Sequence, residues 1–246
     1  MIKSILQEYI LNSNNIAIII EKNIYRDGEI EKMFDFEKRP HMSEYRNSSE
    51  IRDYFHKYTK KNLKKNFPFK PNNIYKKILK LDTSSSVRGI INMNIDGILK
   101  LNGAKNVIDL EGNLNWLYCS QCGMETSMES FANNQDDVLC SNCKDNSLKI
   151  NLPFNGQEPS QWDLKDCWVL LNSCDLLILL VENFISPITF SYIELVKNRL
   201  DRIIITGNLI DFTMGNTPEF FSDSHYICSN NDFLDILLEL TTKRNN

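Results

Sequence analysis

The sequence predicts an α/β fold, a mostly parallel sheet with helices on both faces. Short apolar runs recur at Ile16 to Ile20 (IAIII), Val87 to Ile91, Val107 to Leu110, Leu176 to Val181 (LLILLV) and Ile203 to Ile205. Such runs, bounded by polar residues, read as buried strands. Segments with helical patterning lie between several of them, at 71–81 and 188–200. Strands that alternate with helices form parallel sheets covered on both sides. The chain has 246 residues, 42% hydrophobic and 24% charged, with a net charge of -4. That supports a sizeable core in one large domain, with or without a smaller insertion.

In order along the chain, residues 2–11 read as a short amphipathic helix and IAIII as the first strand. Residues 31–70 lack a strand-like run and hold aromatics among charges. Residues 116–158 hold paired cysteines and few apolar runs. Both stretches read as excursions from the sheet. Residues 231–243 read as a closing helix with Phe233, Leu234, Ile236, Leu237, Leu238 and Leu240 largely inward, capped by Asn231 or Asp232. No internal repeat is present. The longest apolar run, LLILLV, is far short of the ~20 residues of a membrane span. The first residues show no secretory pattern, so an intracellular, reducing compartment is expected. There, cysteines serve as metal ligands or buried thiols before disulfides.

Glycine occurs only 9 times, and neither G-x-G-x-x-G nor G-x-x-x-x-G-K-[ST] is present. Backbone approach to a phosphate needs such glycines, so a standard dinucleotide or P-loop site is disfavoured. Charge is uneven. Residues 51–80 carry ten Lys or Arg against Asp53 alone, a net +9 that leaves -13 on the rest. Tyr54, Phe55, Tyr58, Phe67, Phe69 and Tyr75 interleave with these charges. The mixture reads either as a contact for nucleic acid or another acidic partner, or as a solvated face with its aromatics in the core.

The sharpest local motif is Cys119-Ser-Gln-Cys122, a 17-residue spacer, and Cys140-Ser-Asn-Cys143. Each C-x2-C pair places two thiolates on one tight turn, and two such turns complete a tetrahedron around zinc. With cysteine in all four places no position is left for a catalytic water, so the zinc is expected to be structural. Gly123 follows the first pair, where a left-handed turn is wanted. Cys167, Cys174 and Cys228 read as buried small hydrophobes.

Several motifs in order carry a family resemblance. Pro71-Asn-Asn-Ile-Tyr-Lys-Lys-Ile-Leu is followed by Ile91-Asn-Met-Asn94-Ile95-Asp96-Gly97-Ile98, Gly103, and Val107-Ile-Asp-Leu-Glu111-Gly112-Asn-Leu114. Then come the cysteine quartet, Phe154-Asn155-Gly156-Gln157-Glu158-Pro159, and Asp175-Leu-Leu-Ile-Leu-Leu. Over about two thirds of its length the chain resembles the sirtuins, NAD-dependent protein deacylases. The resemblance implies a Rossmann-like large domain (1–30, 81–115 and 160–246), a helical or loop module (31–80) and a small zinc domain (116–159). It also implies that NAD and an acyl-lysine peptide enter the cleft between domains. Asn94, Ile95 and Asp96 would line the nicotinamide pocket, and Phe154, Asn155 and Gly156 would meet the substrate peptide.

The departures fall where the family's chemistry lies. Its Gly-Ala-Gly-Ile-Ser is matched by Glu21-Lys-Asn-Ile-Tyr25, which puts a carboxylate where a pyrophosphate would sit, with Lys22 placed to offset it. The catalytic histidine is matched by Glu111, whose ordinary pKa of ~4.3 is low for a base at neutral pH. The ribose-binding glutamine is matched by Met93, and Gly-Thr-Ser by Val181-Glu182-Asn183. Pro153, in the peptide-pairing segment, has no N–H to give. Asn94 and Asp96 persist, either for nicotinamide or as caps of the strand-to-helix turn.

Two readings follow. In the first, the chain has lost deacylase activity and works as a pseudoenzyme that binds a protein partner, with NAD binding weak or absent. In the second, it is a divergent NAD-consuming enzyme (NAD hydrolase, ADP-ribosyltransferase or deacylase) that uses Glu111 in place of the histidine.

Overall fold

The computed structural model describes residues 2–22, 34, 39–63, 69–133, 139–182, 185–200, 202–207, 224–226 and 229–244. Asn23, Ile24, Tyr25, Phe67, Asn183 and Cys228, singled out above, lie outside them. The elements in chain order are α1 (Ile2–Leu11), β1 (Ile16–Ile20), α2 (Met42–Asn47), α3 (Ser49–Leu63), α4 (Asn73–Asp82), β2 (Val87–Asn92), α5 (Ile98–Leu101) and β3 (Val107–Asp109). They continue as β4 (Asn113–Cys119), β5 (Glu125–Ser127), α6 (Met128–Asn133), β6 (Leu148–Asn151), α7 (Gln161–Ser173), β7 (Leu176–Leu180), α8 (Pro187–Val196), β8 (Ile203–Thr206), β9 (Ser224–Tyr226) and α9 (Asn230–Arg244).

The predicted parallel sheet is present, in the order β3-β2-β1-β7-β8-β9. Strands β1 and β7 run parallel in the centre, with Ile16 opposite Leu176 and Ile20 opposite Leu180. Their continuous apolar runs serve two cores at once, because successive side chains point to opposite faces. Ile16, Ile18 and Ile20 pack on one face with Leu6 of α1, Ile78 and Leu81 of α4, and Phe233 and Leu237 of α9. Ala17 and Ile19 pack on the other with Cys167 and Leu171 of α7 and Ile193 and Val196 of α8. Cys167 and Cys174 are buried, as expected.

The stretch with few apolar runs holds a second, antiparallel sheet, β5-β4-β6. Its buried residues Leu117, Leu148 and Ile150 join the first core through Tyr45 of α2 and Phe55 of α3. One expectation needs correction. The cap of the closing helix is Ser229, whose Oγ accepts from Asp232 N at 3.1 Å, and not Asn231 or Asp232. Of the two readings of the basic segment, the described aromatics fit the one that puts the rings in the core, because Phe55, Phe69 and Tyr75 are buried. Tyr58 packs against the core, and Tyr54 alone of the described aromatics there stands out, 71% exposed. Each ring has a large apolar area whose burial outweighs any gain from an exposed stack.

Candidate functional site

Parallel sheets bind ligands at the carboxyl ends of their strands, in the crevice where strand order reverses. Here that crevice opens between β1, which continues to β2, and its other neighbour β7. Glu21 follows β1 directly and its backbone N–H donates to Leu180 O at 3.0 Å. Its side chain is fully buried. Glu21 Oε1 accepts from Ser186 N at 2.9 Å and from Ser186 Oγ at 3.0 Å. Ser186 is the N-cap of α8, so this carboxylate sits where orphan amides and the helix dipole favour an anion.

Lys22 does not offset Glu21, as the sequence had implied. Its Nζ pairs with Glu111 Oε1 at 2.6 Å, with the two side chains 29% and 23% exposed. Glu21 is already satisfied by Ser186, which leaves the lysine for the other carboxylate across the strand ends. Met93 is fully buried in the face lined by Ile91, Leu110 and Val181. Glu182 Oε2 accepts from Asn230 Nδ2 at 3.1 Å.

Asn94, Ile95 and Asp96 are buried after β2. Asn94 Nδ2 donates to Glu21 O at 3.0 Å, and Leu114 N donates to Ile95 O at 2.9 Å. Asp96 Oδ1 accepts from Ile98 N, the first amide of α5, at 2.8 Å, and Oδ2 accepts from Tyr75 Oη at 2.6 Å; the N-cap of α5 itself is Gly97. Burial raises the Asp96 carboxyl from its ordinary 3.8 to about 6, against the lowering by its two donors. Asp109 accepts from Asn92 at 2.9 Å and Asn113 at 3.0 Å, so the ends of β2 and β3 are tied together. Gly112, at φ 74°, has no room for a side chain, since a Cβ there would lie 2.0 Å from Asn151 O.

The segment named for peptide binding has its backbone groups taken from within the chain. Asn155 O accepts from Met42 N at 2.9 Å and Asn155 N donates to Pro40 O at 3.2 Å. Pro153 O accepts from Arg39 Nη1 at 2.9 Å. Phe154 N donates to Gln157 Oε1 at 3.0 Å, and Phe154 O accepts from Gln157 N at 2.9 Å. The Phe154 ring is buried, packed edge-on against Tyr45 and Phe55, both at 5.0 Å between centroids. Gly156 lies under the His41 ring.

Cys119, Cys122, Cys140 and Cys143 come together, with all four Sγ atoms within 4.8 Å of one another. Cys119 to Cys143 and Cys122 to Cys140 are each 3.6 Å apart. A tetrahedron of ~2.3 Å Zn–S bonds has edges of ~3.8 Å, so the donor set fits a structural zinc ion. The two knuckles are built alike. Gly123 N donates to Cys119 O at 2.8 Å and Lys144 N to Cys140 O at 3.0 Å. Gly123 (φ 77°) and Lys144 (φ 61°) take the left-handed turn. Zinc would supply the cross-link between the β4 and β6 ends of the small sheet.

The sequence reading missed the partners that occupy the site. Ser186 was hidden by its distance from Glu21 along the chain. Arg39 was one charge among many before α2. Lys149, buried on β6, carried no signal beyond its place in an apolar stretch.

Residues 24–182 match the family model described as Sir2 family. An NAD-dependent protein deacetylase of Thermotoga maritima is 28% identical over 168 residues, 67% of this chain and 65% of its own length. One from Clostridium tetani is 35% identical over 86 residues, covering 35% of this chain and 34% of its own. The aligned stretches thus span less than two thirds of these relatives. Among solved structures, a Sir2 enzyme covers 99% of this chain with 98% of its own at a TM-score of 0.77 and 18% identity. A Sir2 homologue in complex with NAD gives 0.74 at 18% identity, covering 99% and 95%. At such identities the structures establish the fold, while the family model spans well over half the sequence, and on that ground the chain belongs to the Sir2, or sirtuin, family.

Proposed function

We propose that this chain is a sirtuin-fold binding protein without NAD-dependent deacylase activity, and that it acts by engaging a protein partner. The observation that carries the reading is the buried Glu21 carboxylate bonded to Ser186 across the switch-point crevice. A pyrophosphate entering there meets a fixed negative charge on the anion-favouring helix end, and like charges at ~4 Å cost about 4 kcal/mol at a partly screened surface. These residues do not fit that part of the cofactor. The Lys22–Glu111 ion pair adds a second obstacle, since it engages the side chain that stands for the family's base. The self-paired backbone at 153–155 argues in the same direction for the acyl-lysine peptide. In this reading the large domain (1–30, 81–115 and 160–246) and the zinc domain (116–159) persist as a scaffold, and the partner meets their outer surfaces or the helical module (31–80).

One observation favours the divergent-enzyme reading. Asn94 Oδ1 is buried and has no hydrogen-bond partner among the described residues, beside the buried Asp96. Asn94, Ile95 and Asp96 would then hold a nicotinamide, and Glu111, once released from Lys22, would stabilise or activate the ribosyl centre. Calorimetric titration of the zinc-loaded protein with NAD and with ADP-ribose separates the two. No heat from either at millimolar ligand is expected. Micromolar binding of either would overturn the proposal, and turnover lost in Glu111→Gln would establish the alternative.

A further inference from the structure

Lys149 lies on β6 with only 2% of its surface exposed. Its Nζ donates to Ile150 O at 3.1 Å and to Leu152 O. The amine sits 4.1 Å from the centroid of the Phe154 ring and 5.3 Å from that of Tyr118. It forms no ion pair with a carboxylate among the described residues. A buried ammonium held only by carbonyl dipoles and ring faces is poorly compensated for lost hydration. The same side chain borders a cavity of about 220 Å³, lined also by Tyr118, Gln157, Glu158, Ser160 and Asp163. That is below the size of pockets for drug-sized ligands, so it admits only a small molecule. The Glu158 and Asp163 carboxylates on its wall disfavour an anion.

We infer that Lys149 is a nucleophilic amine site that captures small uncharged aldehydes as an imine. The Nζ lone pair attacks the carbonyl carbon, and a C–N bond forms as the C=O π pair moves to oxygen. Oxygen and nitrogen exchange protons through the surrounding water or the rim carboxylates. The carbinolamine then loses water, so amine plus aldehyde gives imine plus water with no change of oxidation state. Burial, reinforced by the nearby Arg39 charge, lowers the Lys149 pKa to about 7. About half the amine is therefore neutral at pH 7, against less than ~0.1% for an exposed lysine. The charged and titratable groups that face it are Arg39 from the segment before α2, Tyr118 on β4, Glu158 just before α7 and Asp163 in its first turn.

The test is reductive alkylation of the full-length, zinc-loaded protein with propanal and cyanoborohydride at pH 7, read by peptide-resolved mass spectrometry. The reductant traps the imine as a stable secondary amine. Lys149 should be propylated at least about tenfold faster than the exposed Lys57, Lys61, Lys76 and Lys80, with the preference lost at pH 10 where all are neutral enough to compete. Lys149→Met should lose this adduct and leave the others. Labelling of Lys149 no faster than the exposed lysines would overturn the inference. So would labelling that appears only after denaturation, since the amine would then be sealed rather than presented to the cavity.

Discussion

Replacing Glu21 with alanine tests whether its carboxylate is built into the fold or merely tolerated at the crevice. The wild-type side chain accepts from Ser186 N at 2.9 Å and Ser186 Oγ at 3.0 Å. In Glu21→Ala the hydroxyl keeps a partner, because Ser186 Oγ can turn its proton to Thr189 Oγ1 at 3.1 Å. Ser186 N has no such second acceptor among the described residues and lies in a buried residue, 5% exposed. An orphaned buried amide costs about 1–3 kcal/mol, and loss of a buried methylene adds about 0.8 kcal/mol. The expected destabilisation is therefore about 2–4 kcal/mol, or a Tm lower by roughly 5–15 °C for a chain of this length. Glu21→Gln keeps an oxygen acceptor and should cost only about 1 kcal/mol. Urea unfolding with unchanged slope gives both values. The opposing term is desolvation of the carboxylate itself. If Glu21→Ala unfolds at the same urea concentration as wild type or a higher one, that desolvation outweighs these bonds together with the one from Lys22 N at 3.3 Å, and the carboxylate is tolerated at the crevice rather than built into the fold.

Further expectations concern the metal, the ion pair and the buried acid. Cys140→Ser should lose the zinc, which elemental analysis reads, and should expose the amides of β4 and β6 to rapid hydrogen exchange, because a closed four-cysteine site contributes directly to folding. A double-mutant cycle on Lys22→Ala and Glu111→Ala should give a coupling of about 0.5–1 kcal/mol that shrinks in high salt, as befits a partly exposed pair. Asp96→Asn should stabilise the protein by about 1–3 kcal/mol at pH 7, because the folded carboxyl holds its proton up to about 6 while the unfolded one releases it near 3.8. Between these values the folded state binds more protons, so wild-type stability falls as pH rises from about 4 to 6, and the gain in Asp96→Asn should vanish in urea midpoints measured below pH 4.

How much of this was legible follows from the distance over which each interaction acts. IAIII and LLILLV announce central strands because both faces of such a strand are buried, and five or six contiguous residues carry the whole signal. The two C-x2-C knuckles are as local, and the structure brings their thiols together. Strand β5 is three residues long and half exposed, so nothing in Glu125–Ser127 distinguishes it from a loop; only its pairing with Trp116, Leu117 and Tyr118 makes it a strand. The charge of Glu21 was legible, but its partner was not. Ser186 lies 165 residues away, and an ordinary serine before a proline reads as a helix cap whether or not a carboxylate lies opposite. Lys22 was assigned to the nearer charge in sequence, whereas the geometry at the strand ends favours Glu111.

These long-range pairings bear on how the cleft departs from the family pattern. The altered residues do not sit there independently. Glu21 is bonded to Ser186, its backbone carbonyl holds the Asn94 amide, its neighbour Lys22 pairs with Glu111, and Met93 fills the core beside Val181. Residues within one bonded network couple by 0.5–3 kcal/mol, in either sign. Restoring a glycine at position 21 alone would leave Ser186 N without its acceptor and Glu111 still neutralised, so a single reversion removes support before it creates a phosphate site. Restoring histidine at position 111 alone would strip Lys22 of its carboxylate partner at the mouth of the same crevice. The zinc knuckles, the Gly112 turn and the bond from Ile98 N to Asp96 share none of these pairings. In the proposed reading, side chains at the strand ends that would face a ligand in the family pattern are bonded to the rest of the chain instead, the retained Asn94 among them.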